Sequence, residues 1–311
     1  MTAALIIVNY GSSGLLEANA AANELPGGCE LIVVDCYSGH AERARVAALC
    51  ERHGWSAVLL EENRGFGGGV NAGAQLALEH GADVLVTLNP DAVIDAQALA
   101  ALIDQARTQP DALVAPRIVT GSGASWFQGA DLYLDDGSVA GAHRRVPGRP
   151  RREWLTGACL AVSAALWRRV GGFDEDYFLY WEDIDLSHRV LDAGGRLVIA
   201  DVRAVHDEGQ THEDARAGRA KSETYYYYNV RNRLMYAGKH LGARDRRAWL
   251  RATPRVSYGI LLQGGRRQFL RSLAPWRAGV RGMRDGVRLV RAQRMPSREP
   301  RPSPRARGAR T

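Results

Sequence analysis

The sequence predicts an α/β fold, a mostly parallel sheet flanked by helices with a helical C-terminal extension, and three observations predict it. Short β-branched runs alternate with amphipathic segments through the first 120 residues, which is the order of repeated βα units. A length of 311 residues with 46% hydrophobic content allows a sizeable core. Arginine then accumulates toward the C-terminus in segments of helical period.

The elements follow in order. ALIIVN, ELIVVD, SAVLL and ADVLVTL read as four strands, with helices between them, the second ending near His53. Residues 120–152 are rich in turn formers and predict a β-hairpin or mobile loop on the side of a second substrate. WLTGACLAVSAALWRRVGGF returns to a strand and a helix closed by Gly171 and Gly172. YWEDIDLSHRV opens another helix, and RLVIADV is one more strand. These elements make an α/β unit over residues 1–210, with halves of about 1–117 and 118–210. A helical extension over 211–294 starts near Thr211 and carries YYYYNVRNRLMYAGKH, whose four tyrosines cannot share one helical face. Residues 295–311 are expected to be disordered.

Composition bounds the function. Cys29, Cys36, Cys50 and Cys159 lie far apart without a C-x-x-C pair, so they predict neither a zinc site nor a disulfide framework, and a reducing compartment is the simpler assumption. The first residues lack a basic leader, and no apolar run reaches the roughly 18 residues of a membrane span, so a cytoplasmic or peripheral protein is expected. Net charge is +7, yet from Arg266 onward 14 arginines face only Asp285 and Glu299, leaving −5 for the rest. Such a basic appendage suits an anionic surface, or it reflects an arginine-rich composition in which lysine is scarce.

In open α/β sheets ligands bind beyond the carboxyl ends of the strands. The residues to read are therefore Asn9 and Tyr10, Asp35, Asn63 to Gly69, and Asn89 to Asp91. Asp35 either holds a nucleotide or caps a turn. NRGFGGGVNAG either brings backbone N–H groups to a phosphate or makes a tight strand-to-helix turn, and its match to G-x-G-x-x-A follows the wrong strand for a dinucleotide site. Asp91 in LNPDA is suited to a hard divalent ion or to an Asx turn, and His206 either completes that metal site or is structural. Glu182, Asp183 and Asp185 crowd three carboxylates into one first helical turn. Interaction with the helix dipole and chemistry both explain them, and Asp185 also stands four residues before Arg189.

Taken as an ordered series over residues 4–240, IIVNY, IVVD, NRGFGGGVNAG, LNPD, WLTGACLAV, GGFDEDYFLYWEDIDLSHRV with AGGRL, and VRAVHDEG resemble glycosyltransferase family 2 on a GT-A fold, in its rhamnosyltransferase-like bacterial branch. The resemblance implies an inverting transferase that moves a sugar, with rhamnose from dTDP-rhamnose favoured, to a glycan or lipid-linked acceptor. It places Asp35 at the nucleotide base, Asp91 and His206 on Mg2+ or Mn2+, and Asp183 as general base, with Glu182 and Asp185 tuning it. Asn9, Tyr10, Asn63, Arg64, Gly67, Asn71 and Asn89 join the nucleotide-sugar side, and Trp154, Gly157 and Trp181 the acceptor side. Gly11 and Cys36 stand where the family often has Asn, and Asn89 where it often has Asp. The reading expects an anionic membrane surface as partner, allows a homodimer and expects no nucleic acid. A sugar nucleotidylyltransferase, or a non-catalytic binding protein using the arginine tail, are the alternatives.

Overall fold

A computed structural model describes residues 2–21, 24–206 and 221–292. The expected disordered tail at 295–311 and the expected helix start near Thr211 lie outside the described residues.

In chain order the elements of the first half are β1 (Thr2–Asn9), α1 (Ser13–Ala20), β2 (Cys29–Asp35), α2 (His40–His53), β3 (Ser56–Leu59), α3 (Gly65–Glu79), β4 (Ala82–Leu88), β5 (Ala92–Val93), α4 (Ala96–Thr108) and β6 (Ala112–Val119). The second half adds β7 (Ser125–Phe127), β8 (Ala130–Tyr133), β9 (Val139–Gly141), β10 (Arg151–Trp154), β11 (Cys159–Ser163), α5 (Ala164–Val170), α6 (Glu182–Asp192) and β12 (Arg196–His206). The extension comprises α7 (Glu223–His240), α8 (Ala243–Leu262) and α9 (Ala274–Ala292). The turn-rich region 120–152 is thus ordered strand, with β10, β8 and β9 forming a small antiparallel sheet.

The main sheet runs β3-β2-β1-β4-β11-β6-β12-β5, with β7 on β6. Its first four strands are parallel, as their βα connections require, while β11 enters antiparallel between β4 and β6. The sheet is therefore mixed. Pro116 stands inside β6 and lacks the N–H that a central strand donates. Its partner β12 steps from Ile199 to Arg203 while β6 steps from Ala115 to Arg117, so the ladder bulges around the missing donor.

Parallel strands buried on both faces read as continuous apolar runs, and Leu5, Ile32, Val33 and Val34 are fully buried here. α3 lies close on β1 and β2 because Gly69 and Gly73 face them: a Cβ would stand 2.7 Å from Val8 Cγ1 and 2.6 Å from Ile6 Cγ2.

The extension shares a core with the α/β unit. Trp181, Tyr236 and Trp249 pack with Leu132 and Tyr177, and the buried Arg233 guanidinium hydrogen-bonds the carbonyls of Asp136 and Trp249. The four tyrosines divide as their spacing demands. Tyr226 is buried and donates to Gln268, Tyr227 donates to Asp285 of α9, and Tyr228 stacks on Phe178.

Candidate active site

The pairing of β1 with β2 sets Asn9 opposite Asp35 at the ends of both strands. Both side chains are fully buried. Asn9 donates to Asp35 Oδ1 at 3.1 Å and accepts from the backbone and hydroxyl of Ser12, while Glu42 takes the Ser13 N–H at 2.6 Å. Asn9 is thereby spent on holding the turn into α1. Asp35 keeps Oδ2 buried without a partner among the described residues, and burial raises its pKa although Asn9 and the Tyr37 backbone oppose this. An unpaired carboxylate oxygen at a strand end is where a nucleotide N–H could bind. Tyr10, beside it, is 54% exposed.

The glycine run packs closely where β3 passes into α3. Asn63 Oδ1 accepts the Gly65 N–H at 2.8 Å, an Asx turn that opens α3. Gly65 has φ +73°, and a Cβ there would stand 2.0 Å from the Phe178 carbonyl oxygen, which in turn accepts the Phe66 N–H. Gly67 is buried with its Cβ position 3.0 Å from Phe173 Cβ, so this glycine serves packing between the two halves. Arg64 and Asn71 both reach Glu175, at 2.8 and 3.0 Å, and Asn71 also exchanges hydrogen bonds with the Phe173 backbone. Arg64 is engaged within the protein at this site.

β5 and β12 pair antiparallel with His206 opposite Ala92, which carries the imidazole to Asp91. His206 is the last residue of β12 itself, one element earlier than a position beyond the strand. Its Nε2 lies 3.1 Å from Asp91 Oδ1 and 3.4 Å from Asn89 Nδ2, both His206 and Asp91 are buried, and the Trp126 ring covers the imidazole at 4.5 Å. A carboxylate oxygen and an imidazole nitrogen are donors that Mg2+ and Mn2+ accept. Their separation suits two neighbouring positions on an octahedral ion about 2.1 Å from each. Among the described residues no group of three or more His, Cys, Asp or Glu gathers for a metal. The fit is that of an ion whose remaining shell is phosphate and water.

β11 joins this corner to the acceptor side. The Asn89 N–H donates to the Ala158 carbonyl at 2.9 Å, and the next residue back, Gly157, donates its N–H to Asp183 Oδ2 at 3.0 Å. Asp183 Oδ1 also accepts the Ile184 N–H at 2.8 Å. Burial pushes Asp183 up to about 6 despite these two donors. Its neighbour Glu182, buried with Oε2 unpartnered among the described residues, is raised well above the carboxylate range by burial and then by the charge of Asp183. Of the two, Glu182 is therefore the more reluctant to ionise.

Asp185 differs from the expectation that it tunes the base. It is fully buried and held by Arg189 Nε at 2.6 Å, His240 Nε2 at 2.5 Å and Tyr177 at 3.3 Å. Burial works against its charge, but the His240 hydrogen bond and the Arg189 charge outweigh it and hold the pKa below the ordinary value. Asp185 anchors α6 to α7. Trp181 is likewise no acceptor platform: with φ +77° it turns into the core against Tyr236 and Trp249 and is buried. Trp154 packs on Phe127 at 5.5 Å and leaves its indole N–H buried without a partner among the described residues.

The loop before α6 is strained, since Phe178, Tyr180 and Trp181 all have positive φ. Asn232 of α7 sustains it, its amide nitrogen lying 2.7–2.9 Å from the carbonyls of Tyr177, Leu179 and Tyr180. Sequence reading missed Asn232, Glu175 and Trp126. Glu175 stands inside GGFDEDYFLYWED and was readable there, whereas Asn232 sits in a tyrosine-rich helix with no spacing that marks it.

A parallel nucleotide-type half joined through β11 to a half presenting a raised carboxylate defines a transferase of the GT-A type. The model of the family described as Glycosyl transferase family 2 matches residues 5–170, and the chain belongs to that family. It is 22% identical over 242 residues, 74% of each chain, to the low-salt glycan biosynthesis hexosyltransferase Agl10 of Haloferax volcanii. Over 41 residues, 13% of each chain, it is 54% identical to the N-acetylglucosaminyl-diphospho-decaprenol L-rhamnosyltransferase of Mycobacterium tuberculosis. The mannosyltransferase PcManGT of Pyrobaculum calidifontis, solved with GDP-Man and Mn2+, matches the fold with a TM-score of 0.52 at 17% identity, covering 94% of this chain and 86% of that one.

Proposed function

We propose that the protein is an inverting glycosyltransferase that moves a sugar from a nucleotide diphosphate donor to a hydroxyl of a glycan or lipid-linked acceptor, with dTDP-rhamnose as the favoured donor. The observation that carries it is Asp183, a carboxylate with a pKa of about 6 held by the N–H of Gly157, the residue before the Ala158 carbonyl that ties down Asn89. Rhamnose and a lipid-diphosphate acceptor rest on the short stretch shared with the mycobacterial rhamnosyltransferase. Membership in a glycosyl transferase family replaces the nucleotidylyltransferase alternative.

In this reading Asp183 accepts the proton of the acceptor hydroxyl as its oxygen attacks the anomeric carbon from the face opposite the leaving nucleotide diphosphate. The pKa suits the task, because the carboxylate is ionised at neutral pH yet more basic than an exposed aspartate. Asp91 and His206 would hold a divalent ion, which neutralises charge on the leaving diphosphate. Asp35 would take the nucleotide base, Glu182 stays protonated so that Asp183 alone is charged, and Asn232 keeps the 177–180 loop in register. Trp154 and Gly157 line the acceptor side.

The test is a panel of nucleotide sugars incubated with full-length protein, membrane lipid extract and Mg2+ or Mn2+. Transfer of one sugar, abolished by chelator, is expected, with dTDP-rhamnose ahead of UDP- and GDP-sugars. Donor binding without transfer to any acceptor, in wild type and Asp183→Asn alike, would instead favour a binding protein.

A further inference from the structure

The basic extension meets the α/β unit in an unexpected way. The sequence pattern makes Leu273, Trp276, Val280, Met283 and Val287 the apolar stripe of α9, but the residues buried along the helix are Pro275, Ala278, Gly279, Gly282, Gly286 and Val290, with Gly282 and Gly286 against α7 and Gly279 against Leu261 of α8. Glycines allow this approach: a Cβ on Gly282 would stand 2.6 Å from the Tyr227 carbonyl oxygen, and one on Gly286 2.9 Å from Leu234 Cβ. Small residues thus dock the helix, while Leu273, Trp276 and Val280 turn outward and Met283 and Val287 stay half-buried.

They do not scatter. Trp276 stacks on Tyr258 at 5.9 Å and meets Phe269 at 5.0 Å, Leu270 adjoins Phe269, and Leu273 and Val280 lie a turn to either side of Trp276. Five of the nine exposed large apolar side chains among the described residues lie here, with Leu270 at 89%, Leu273 at 62% and Val280 at 55% exposure. Residues 266–292 also carry eight arginines against Asp285, a net charge of +7. All eight are exposed, and Arg266, Arg267, Arg271 and Arg277 make no ion pair among the described residues.

We infer that this surface, the 3-10 helix Arg266–Leu270 with the outer face of α9 and Tyr258 of α8, is a docking face for a bilayer containing anionic lipid. Aromatic rings and leucines enter the boundary of the acyl chains while arginines meet phosphate groups, the division that interfacial helices use. No helix among the described residues is long and apolar enough to cross a membrane. A second copy is disfavoured as occupant because it would bring two segments of net charge +7 together. The inference stands apart from the sugar-transfer reading, since binding needs neither donor nor acceptor.

Flotation of the full chain with phosphatidylcholine vesicles, with and without phosphatidylglycerol, tests it. Wild type should float with the anionic vesicles and remain behind with the neutral ones, and added salt should release it. Leu270→Glu/Leu273→Glu/Val280→Glu should reduce the bound fraction at least about tenfold, because three exposed apolar anchors become anions. Arg266→Gln/Arg267→Gln/Arg271→Gln/Arg277→Gln should reduce it with no loss of folded circular dichroism. Transfer to a short soluble acceptor should survive both sets. Equal flotation of wild type and either variant overturns the inference. So does a wild-type dimer in solution that the triple variant dissolves, or binding to an oligonucleotide with none to vesicles.

Discussion

Holding Asp183 as a charged base costs the fold stability, and the cost can be measured. Its pKa rises from an ordinary 3.8 to about 6, mainly through burial. Two units at about 1.4 kcal/mol each put the penalty for the charged form near 3 kcal/mol at neutral pH. The sign follows from linkage: the folded state binds this proton more tightly than the unfolded chain, so the stability it contributes is complete below about pH 4 and is lost as pH rises through about 6. Asp183→Asn removes the charge and keeps the shape, but one of the two N–H donors, from Gly157 or Ile184, loses its acceptor, at a cost of about 1 kcal/mol. The variant should therefore be more stable than wild type by about 2 kcal/mol at pH 7, with the gain vanishing near pH 4. Urea unfolding at both pH values reads this directly, and transfer should fall at least about a hundredfold with donor affinity unchanged. A variant less stable than wild type at pH 7, or a gain independent of pH, would refute the buried-charge account. Wild-type turnover would move the base to another residue.

Further outcomes follow from the same geometry. In wild type kcat/KM should drop as pH falls through about 6, where Asp183 takes up its proton, and Asp183→Asn should flatten that limb. Asp91→Ala and His206→Ala should each weaken donor binding in Mn2+ and leave it unchanged in chelator, as read by calorimetry; equal affinity with and without metal in wild type would exclude their role. Gly65→Ala should cost several kcal/mol or prevent folding, since its Cβ would overlap the Phe178 carbonyl at a positive φ, whereas Gly54→Ala, where nothing stands within 4 Å, should cost about 1 kcal/mol in denaturant titration. Asn232→Ala should lower kcat more than donor affinity, because it frees the loop that sets Asp183, and Asn232→Asp should fail to restore it.

The sheet's parallel half was legible because fully buried strands are continuous apolar runs: ALIIVN and ELIVVD end at Asn9 and Asp35, and ADVLVTL ends at Leu88, just before Asn89. The β6 strand went unread: ALVAPRIV carries Pro116, which demotes a central strand unless its partner bulges, and the bulge in β12 is written in another part of the chain. The first-turn carboxylates were found as a group, but their division of labour was not. Asp185 is held by Arg189 and by His240, 55 residues away, and only the fold brings that histidine in. The glycine run stayed open between a phosphate loop and a tight turn, because what GFGGG packs against within the chain, the sheet and Phe173, is a tertiary fact. In α9 the apolar period was legible and Leu273, Trp276 and Val280 do lie outward, but the glycine stripe that docks the helix carries no hydrophobic signal and went unread.

If Asp183 takes the acceptor proton, transfer is a single displacement at the anomeric carbon. NMR of the transfer product, compared with the donor, tests it most directly. One-bond carbon–proton coupling at C1 should report the anomeric configuration opposite to that of the nucleotide sugar; a product that retains the donor's configuration would contradict the assignment of Asp183 as base in a one-step inversion.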